Sequence, residues 1–343
     1  MSKPKIFITR RIPDAGIDML AEVAEVVVNP EDRTLSRAEL LASVADCQGV
    51  IGLLTEKIDA EFFDAAPKLK GYANYAVGYD NIDVAEATRR SIPVSNTPGV
   101  LTDATAECAW ALIFATARRV AEADRVMRSG AWQGWGPLQF IGQGVRGKTL
   151  GIVGAGRIGT AMALMSRGFD MRVLYTSSSG RRNAVLEDTL KARLVPFDTL
   201  LAEADFISIH TPLTPDTRHL FDAAAFGRMK RTACIVNTAR GPVIKEDDLV
   251  DALKNGVIAG AGLDVFEREP AMAPGLAGLD NAVVLPHIGS ATVESRTDMA
   301  TLAARNMLAM LAGQRPETCL NPDIFGPAFF DAERSDRKGG AKA

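Results

Sequence analysis

A strand that runs into a glycine turn and straight on into a helix leaves few folds open. Leu150-Gly151-Ile152-Val153 is apolar, Gly154-Ala155-Gly156-Arg157-Ile158-Gly159 follows at once, and residues 160–166 are compatible with a helix. In that context the first glycine permits the tight turn and the second lets the backbone approach a pyrophosphate. The third lets helix and strand pack closely. Phosphate then sits on the helix N-terminus, where free N–H groups and the dipole favour negative charge. Such a turn belongs to a βαβ unit, and therefore to a mostly parallel sheet.

The alternation extends over most of the chain. Strands are predicted at 5–9, 26–28, 49–54, 69–75 and 93–95, with helices at 14–24, 37–44, 60–65 and 84–90 between them. A second series runs from the strand 149–153 to the strand 283–285. Strands alternating with helices imply parallel sheets in both halves. One long helix is predicted from a cap at Thr102 or Asp103 to Gly130, with an apolar stripe at Ala106, Trp110, Ile113, Ala117, Val120 and Met127. A loop rich in Gly, Trp and Gln follows at 131–147, and a second long helix is predicted at 291–311. Residues 331–343 mix charges with Gly and Ala and are expected to form a mobile tail.

Composition removes several classes of function. The 343 residues leave room for about two domains. With 47% hydrophobic and 24% charged residues, the chain has ordinary globular composition. Lys+Arg is 39 against Asp+Glu 42, a net charge of −3, so no basic surplus points to nucleic acid. No apolar run approaches the roughly 20 residues of a membrane span. The N-terminus passes directly into Ile6-Phe7-Ile8, which reads as a strand and not a signal peptide. Cys47, Cys108, Cys234 and Cys319 are scattered without a CxxC or Cys/His cluster. No metal is expected, and reduced thiols fit a cytoplasmic protein.

The end of the strand after the glycine turn bears on which dinucleotide binds. An NAD site usually carries an acid there for the ribose hydroxyls. Here the strand 172–175 runs into Thr176-Ser177-Ser178-Ser179-Gly180-Arg181-Arg182, and Asp170 lies at its wrong end. Hydroxyls and the forked donors of Arg181 and Arg182 suit a 2′-phosphate, so NADP(H) is favoured over NAD.

Three histidines limit the acid–base chemistry: His210, His219 and His287. His210 follows the strand 206–209, at the end of a sheet where ligands bind. His219 lies in a polar turn and reads as structural or exposed. His287 follows Val283-Val284-Leu285-Pro286, beyond the last strand of the series. Arg240 and Glu269 each lie just past other strands of the same sheet, so the three side chains can converge. An Arg can hold a carboxylate through two parallel hydrogen bonds. A Glu beside a His would keep the imidazole protonated as a donor. Beside a dinucleotide, the set describes reduction of a 2-oxo acid.

From about Lys5 to Asn321 the chain resembles the D-2-hydroxyacid dehydrogenase family. The resemblance rests on Gly154–Gly159, Thr238-Ala239-Arg240-Gly241, the stretch from Gly262-Leu263-Asp264 through Glu269-Pro270, and Pro286-His287-Ile288-Gly289-Ser290. Within the family it is most like glyoxylate/hydroxypyruvate reductases, through Ala76-Val77-Gly78-Tyr79-Asp80-Asn81-Ile82-Asp83 and the stretch Asn96-Thr97-Pro98-Gly99-Val100-Leu101-Thr102-Asp103-Ala104-Thr105-Ala106-Glu107.

The resemblance implies two Rossmann/flavodoxin-like, doubly wound parallel-sheet α/β domains with the active site in the cleft between them. The substrate domain would be discontinuous, 1–100 plus 287–325. The dinucleotide domain would occupy 101–286, with a tail at 326–343. Arg240, Glu269 and His287 would be catalytic. The N–H groups of Val77 and Gly78 would bind the substrate carboxylate, and Leu54 would line the pocket. Trp135 would reach the partner's site in a homodimer. Beyond the glycine turn and Ser177, Ser178, Arg181 and Arg182, cofactor contacts would come from Thr105, His210, Thr211, Pro212, Thr238, Ala239, Asp264, His287 and Gly289. Asp264 would meet the nicotinamide carboxamide. Related NADP-dependent reductases often carry Arg where this chain has Ser178.

The expected activity is NAD(P)H-dependent reduction of glyoxylate, hydroxypyruvate or both, with His287 as proton donor. Phosphite dehydrogenase and D-3-phosphoglycerate dehydrogenase are alternatives on the same fold. A non-enzymatic dinucleotide-sensing corepressor is the alternative of another class, and the complete triad argues against it.

Overall fold

In a computed structural model of the chain, residues 3–326 are described. The chain divides into two compact units, one running up to Leu101 and resuming at Thr292, the other Thr102–Ala291. Beyond Gly326, the tail drawn at 326–343 lies outside the described residues.

The first unit is built on β1 (Lys5–Ile8), β2 (Glu25–Val28), β3 (Gly49–Gly52), β4 (Gly71–Asn74) and β5 (Val94–Ser95). They form one parallel sheet in the order β2-β1-β3-β4-β5, the flavodoxin-like arrangement. Every residue of β3 and β4 is buried, as expected of strands covered on both faces. The helix Val293–Leu311 covers one face, and Gly49 and Gly71 leave room for its Met307 and Met310. It opens at Val293 and not at 291, because Thr292 Oγ1 accepts a hydrogen bond from Ser295 N (3.1 Å) and so caps the first turn. The segment after the helix closes the sheet edge. Ser95 pairs with Cys319, and Asn321 Oδ1 accepts from Val94 N (3.0 Å).

The second unit holds β6 (Thr149–Val153), β7 (Arg172–Thr176), β8 (Arg193–Leu194), β9 (Phe206–Ile209), β10 (Cys234–Asn237), β11 (Gly260–Leu263) and β12 (Ala282–Val284). All seven are parallel, in the order β12-β11-β10-β9-β6-β7-β8. The order reverses between β6 and β9, which is where such sheets bind ligands.

The long helix predicted from residue 102 to 130 is two helices, Thr102–Ala117 and Val120–Arg128. Gln143 N donates to Ala117 O (2.7 Å), taking a carbonyl that a continuous helix would use, and Arg119 turns to φ 54°. The predicted stripe divides there. Ala106, Trp110, Ile113 and Ala117 are buried, with Trp110 Nε1 donating to Met162 O (3.1 Å), whereas Val120 and Met127 are exposed. The second unit extends through Ala291 and not only to 286, because Asp264 holds the Ile288 and Gly289 amides (2.7 Å each).

Candidate active site

At the point where the strand order reverses, β6 ends in the glycine turn. Gly154 has φ 96°, and a Cβ on it would lie 2.8 Å from the carbonyl of His210, the residue after β9. Only glycine tolerates both conditions. Gly159 leaves no room for a Cβ against Gly154 O. By contrast, no described residue lies within 4 Å of the position a Gly156 Cβ would take. The helix Arg157–Met165 begins there with Gly156 as N-cap and no side-chain cap, which leaves its first N–H groups for an anion. Open space at Gly156 beside uncapped amides fits a pyrophosphate, with Arg157 and Ile158 in the first turn.

The loop after β7 is tied to this turn by residues the sequence reading missed. Asn183 Nδ2 donates to Ala155 O (3.1 Å) and to Thr160 Oγ1 (2.8 Å). Tyr175 Oη donates to Glu187 Oε1 (2.6 Å) and accepts from Asn183 N (2.8 Å). Glu187 also pairs with Arg182 (2.6 Å). The Arg182 guanidinium and the Tyr175 hydroxyl hold the Glu187 carboxyl below its ordinary range. Arg182 is therefore engaged, whereas Arg181 is exposed and forms no ion pair among the described residues. Ser177 Oγ and Ser179 Oγ lie 3.1 Å apart, and Ser178 is exposed beside them.

Arg240 is set by a buried Asn237 at the end of β10. Asn237 Oδ1 accepts from Ala239 N (3.0 Å), and its Nδ2 donates to Arg240 O (2.9 Å). Arg240 lies half-buried, with Nη1 donating to Ala239 O (2.8 Å). Beside it Thr238 is buried, and its hydroxyl has no partner among the described residues.

His287, at φ 55°, has Nδ1 3.0 Å from Glu269 Oε2. The other Glu269 oxygen accepts from Phe266 N (3.0 Å). Burial alone would push the Glu269 carboxyl up, but the His287 contact and charge, the Phe266 N–H and nearby Arg240 together hold it below its ordinary value. Asp264 is buried and spends an oxygen on each of the Ile288 and Gly289 amides, so it pins the segment bearing His287. Burial pushes its pKa up against the pull of those amides. With Nδ1 committed to a carboxylate, Nε2 is the nitrogen of His287 left for proton transfer.

The other histidines differ. His210 bonds Ser208 Oγ (2.8 Å), and burial pulls its pKa down to about 3, so it stays neutral. Sequence position implies a carboxylate partner for His287 alone; the structure gives His219 one as well, with Nε2 2.8 Å from Glu267 Oε1.

In the first unit, the turn after β4 carries Val77 and Gly78. Thr97 N donates to Ala76 O (2.9 Å), and Asn96 Nδ2 donates to Val77 O (2.7 Å). In trans peptides the next N–H points opposite each carbonyl. The Val77 and Gly78 N–H groups therefore face away from residues 96–97, and neither donates to another main-chain group among the described residues. Asn74 Nδ2 steadies Gly78 O (2.8 Å). Asn96 is braced in turn, since Thr318 Oγ1 donates to its carbonyl (2.6 Å) and Asn306 Nδ2 donates to that hydroxyl (2.7 Å). Leu54, half-buried, follows β3.

The family model for the D-isomer specific 2-hydroxyacid dehydrogenase NAD binding domain matches residues 110–289. A glyoxylate reductase of Thermococcus gammatolerans is 52% identical over 326 residues, covering 94% of this chain and 97% of its own. The chain belongs to the D-2-hydroxyacid dehydrogenases. Among solved structures, a Thermus thermophilus protein aligns with a TM-score of 0.87 at 42% identity, covering 92% of this chain and 99% of that one. An NADPH-dependent glyoxylate/hydroxypyruvate reductase of Sinorhizobium meliloti, in complex with NADP and malonate, aligns with a TM-score of 0.82 at 32% identity, covering 94% and 98%.

As a D-2-hydroxyacid dehydrogenase the protein is an oxidoreductase with an NAD-binding domain of the Rossmann type. Thr211, half-buried, and Pro212, exposed, follow His210 beyond β9. Thr105 is buried in the helix Thr102–Ala117 beside Gly289. Trp135 is 84% exposed and Leu138 82%, so the loop of this dehydrogenase presents apolar side chains outward. No described helix is long and apolar enough to cross a membrane.

Proposed function

We propose that the protein reduces glyoxylate, and hydroxypyruvate as a larger substrate, with NADPH favoured over NADH. The observation carrying this reading is the 3.0 Å contact of His287 Nδ1 with Glu269, in the same unit as Arg240 and the open glycine turn. The names of the relatives support the substrate class. Arg181 and the serine hydroxyls, with the nearby acid Glu187 turned onto Tyr175 and Arg182, support NADPH.

Gly154, Gly156, Gly159 and the amides at Arg157 and Ile158 would hold the pyrophosphate. Ser177, Ser178 and Arg181 would meet a 2′-phosphate. Thr105, His210, Thr211, Pro212, Thr238, Ala239, Asp264 and Gly289 would complete the cofactor contacts. When bound, the reduced nicotinamide supplies a hydride to the substrate's carbonyl carbon. Arg240 grips the carboxylate with its fork and draws electron density from the carbonyl. The Val77 and Gly78 amides would bind a substrate carboxylate, and Leu54 would line a small pocket. His287 Nε2 delivers its proton to the carbonyl oxygen as the C=O pair moves onto that oxygen. Glu269 holds the ring and stabilises the imidazolium before transfer. The product is the 2-hydroxy acid.

The exposed Trp135 and Leu138 support a homodimer in which this loop is covered by a second copy, with Trp135 reaching the partner's site. Four free cysteines suit a reducing cytoplasm. The test is steady-state kcat/KM for glyoxylate, hydroxypyruvate, pyruvate and phosphite, each with NADH and NADPH. Glyoxylate with NADPH is expected to lead. His287→Ala is expected to lower kcat by about 10²- to 10⁴-fold while NADPH still binds. Phosphite as the leading substrate would overturn the substrate reading, and NADH as the leading cofactor the cofactor reading.

A further inference from the structure

Behind the Glu269–His287 pair lies a carboxylate that the mechanism does not use. Glu246 opens the helix Glu246–Lys254 and is only 4% exposed. It forms no ion pair among the described residues. Its oxygens are spent on main-chain donors of the loop after β11. Oε2 accepts from Glu267 N (2.8 Å) and Oε1 from Ala273 N (2.8 Å). These two amides stand on either side of Glu269 in the chain. The bracket is reciprocal: Glu267 Oε2 accepts from Glu246 N (3.1 Å), and Glu267 Oε1 meets His219 Nε2 (2.8 Å).

Burying a carboxylate is costly unless hydrogen bonds replace its water. This one is satisfied by two N–H groups of a single loop, which ties down both ends of the segment carrying Glu269. Glutamine would fill the same space but could accept from only one of the two amides. Its own NH₂ would confront the other donor.

We infer that Glu246 is a positioning residue: through Glu267 N and Ala273 N it holds the 267–273 loop so that Glu269 meets His287 Nδ1. The inference rests on the reading of Glu269 and His287 as the proton-donating pair. His219 supports the bracket from outside through Glu267.

The test is a double-mutant cycle on the full-length enzyme with glyoxylate and NADPH. Glu246→Gln is expected to lower kcat about 10- to 100-fold, the scale of a small misplacement of a catalytic group. The KM for NADPH is expected to stay at the wild-type value, which a general loss of structure would not allow. In a Glu269→Gln background the same substitution is expected to have no further effect, because the two residues act through one contact. An equal loss in both backgrounds overturns the inference, as does wild-type kcat in folded Glu246→Gln. Wild-type kcat in Glu269→Gln alone would instead take down the underlying reading. Should Glu246→Gln fail to fold, His219→Ala removes the outer support at a half-exposed site. It is expected to give a smaller loss that also vanishes in the Glu269→Gln background; an additive loss, or none, overturns the inference.

Discussion

Glu269 stands under opposing pulls, and their balance sets how the site responds to pH. Burial favours its neutral form, while the His287 contact and charge, the Phe266 N–H and Arg240 favour the carboxylate and prevail. A carboxyl whose folded pKa is depressed adds stability that is present above its unfolded pKa. That stability is lost as pH falls through the folded value. The Glu269–His287 pair should therefore persist down to below the ordinary carboxylate range. Glu269→Gln is expected to remove this group's share of the acid-side fall in stability, read by unfolding followed from about pH 2 to about pH 7. An unchanged acid-side fall would mean that Glu269 does not contribute to it. His210 contrasts with this. It also follows a strand at the glycine turn, yet burial without a carboxylate leaves it neutral, with a pKa of about 3.

At the scale of elements, the loop after β7 is the proposed seat of the cofactor preference, and its two arginines are not equivalent. Arg182 is spent on Glu187, and Arg181 is the cation left beside the serines. Arg181→Ala is expected to raise the KM for NADPH by about tenfold, the worth of one charged hydrogen bond, with little change for NADH. Arg182→Ala is expected to raise it less. Equal effects of the two substitutions would show that Glu187 releases Arg182 when NADPH binds. Sequence pattern exposes Arg181 and Arg182 together but cannot separate them, because Glu187 acquires its partners only when the helix after the loop folds back on Tyr175. The same limit explains other misses. The central strands β6, β9, β10 and β11 are legible because burial on both faces leaves continuous apolar runs, whereas the half-exposed two-residue β8 leaves no such run, and Gly154–Gly159 is legible because sterics demand glycine. The break at Arg119 depends on Gln143 reaching Ala117 from a distant loop. Asn96 and Asn237 shape their turns through side-chain amides, which leave no periodic trace.

At the scale of the whole molecule, the exposed loop at Trp135 and Leu138 bears on assembly. In the proposed homodimer, with Trp135 lent to the second copy's site, Trp135→Ala is expected to raise the KM for hydroxypyruvate more than for glyoxylate, since the larger substrate would reach further toward it. Sedimentation of the wild type is expected to give a dimer; a fully active monomer with unchanged substrate preference would refute the assignment. The division of the chain has a consequence for its birth on the ribosome. The first unit owes one sheet face to the helix Val293–Leu311 and its sheet edge to Cys319 and Asn321. Its turn at Val77 is braced through Asn96 by Asn306 and Thr318. At about 5–20 residues per second, the intervening Thr102–Ala291 stretch takes on the order of ten seconds or more to emerge. Throughout that interval the strands before Leu101 are made but incomplete, awaiting a cover that follows the second unit in the chain. Of the two units, the one begun before the other is thus the one completed after it, and a nascent chain stalled before Leu311 would carry a finished nucleotide fold alongside an open, aggregation-prone sheet.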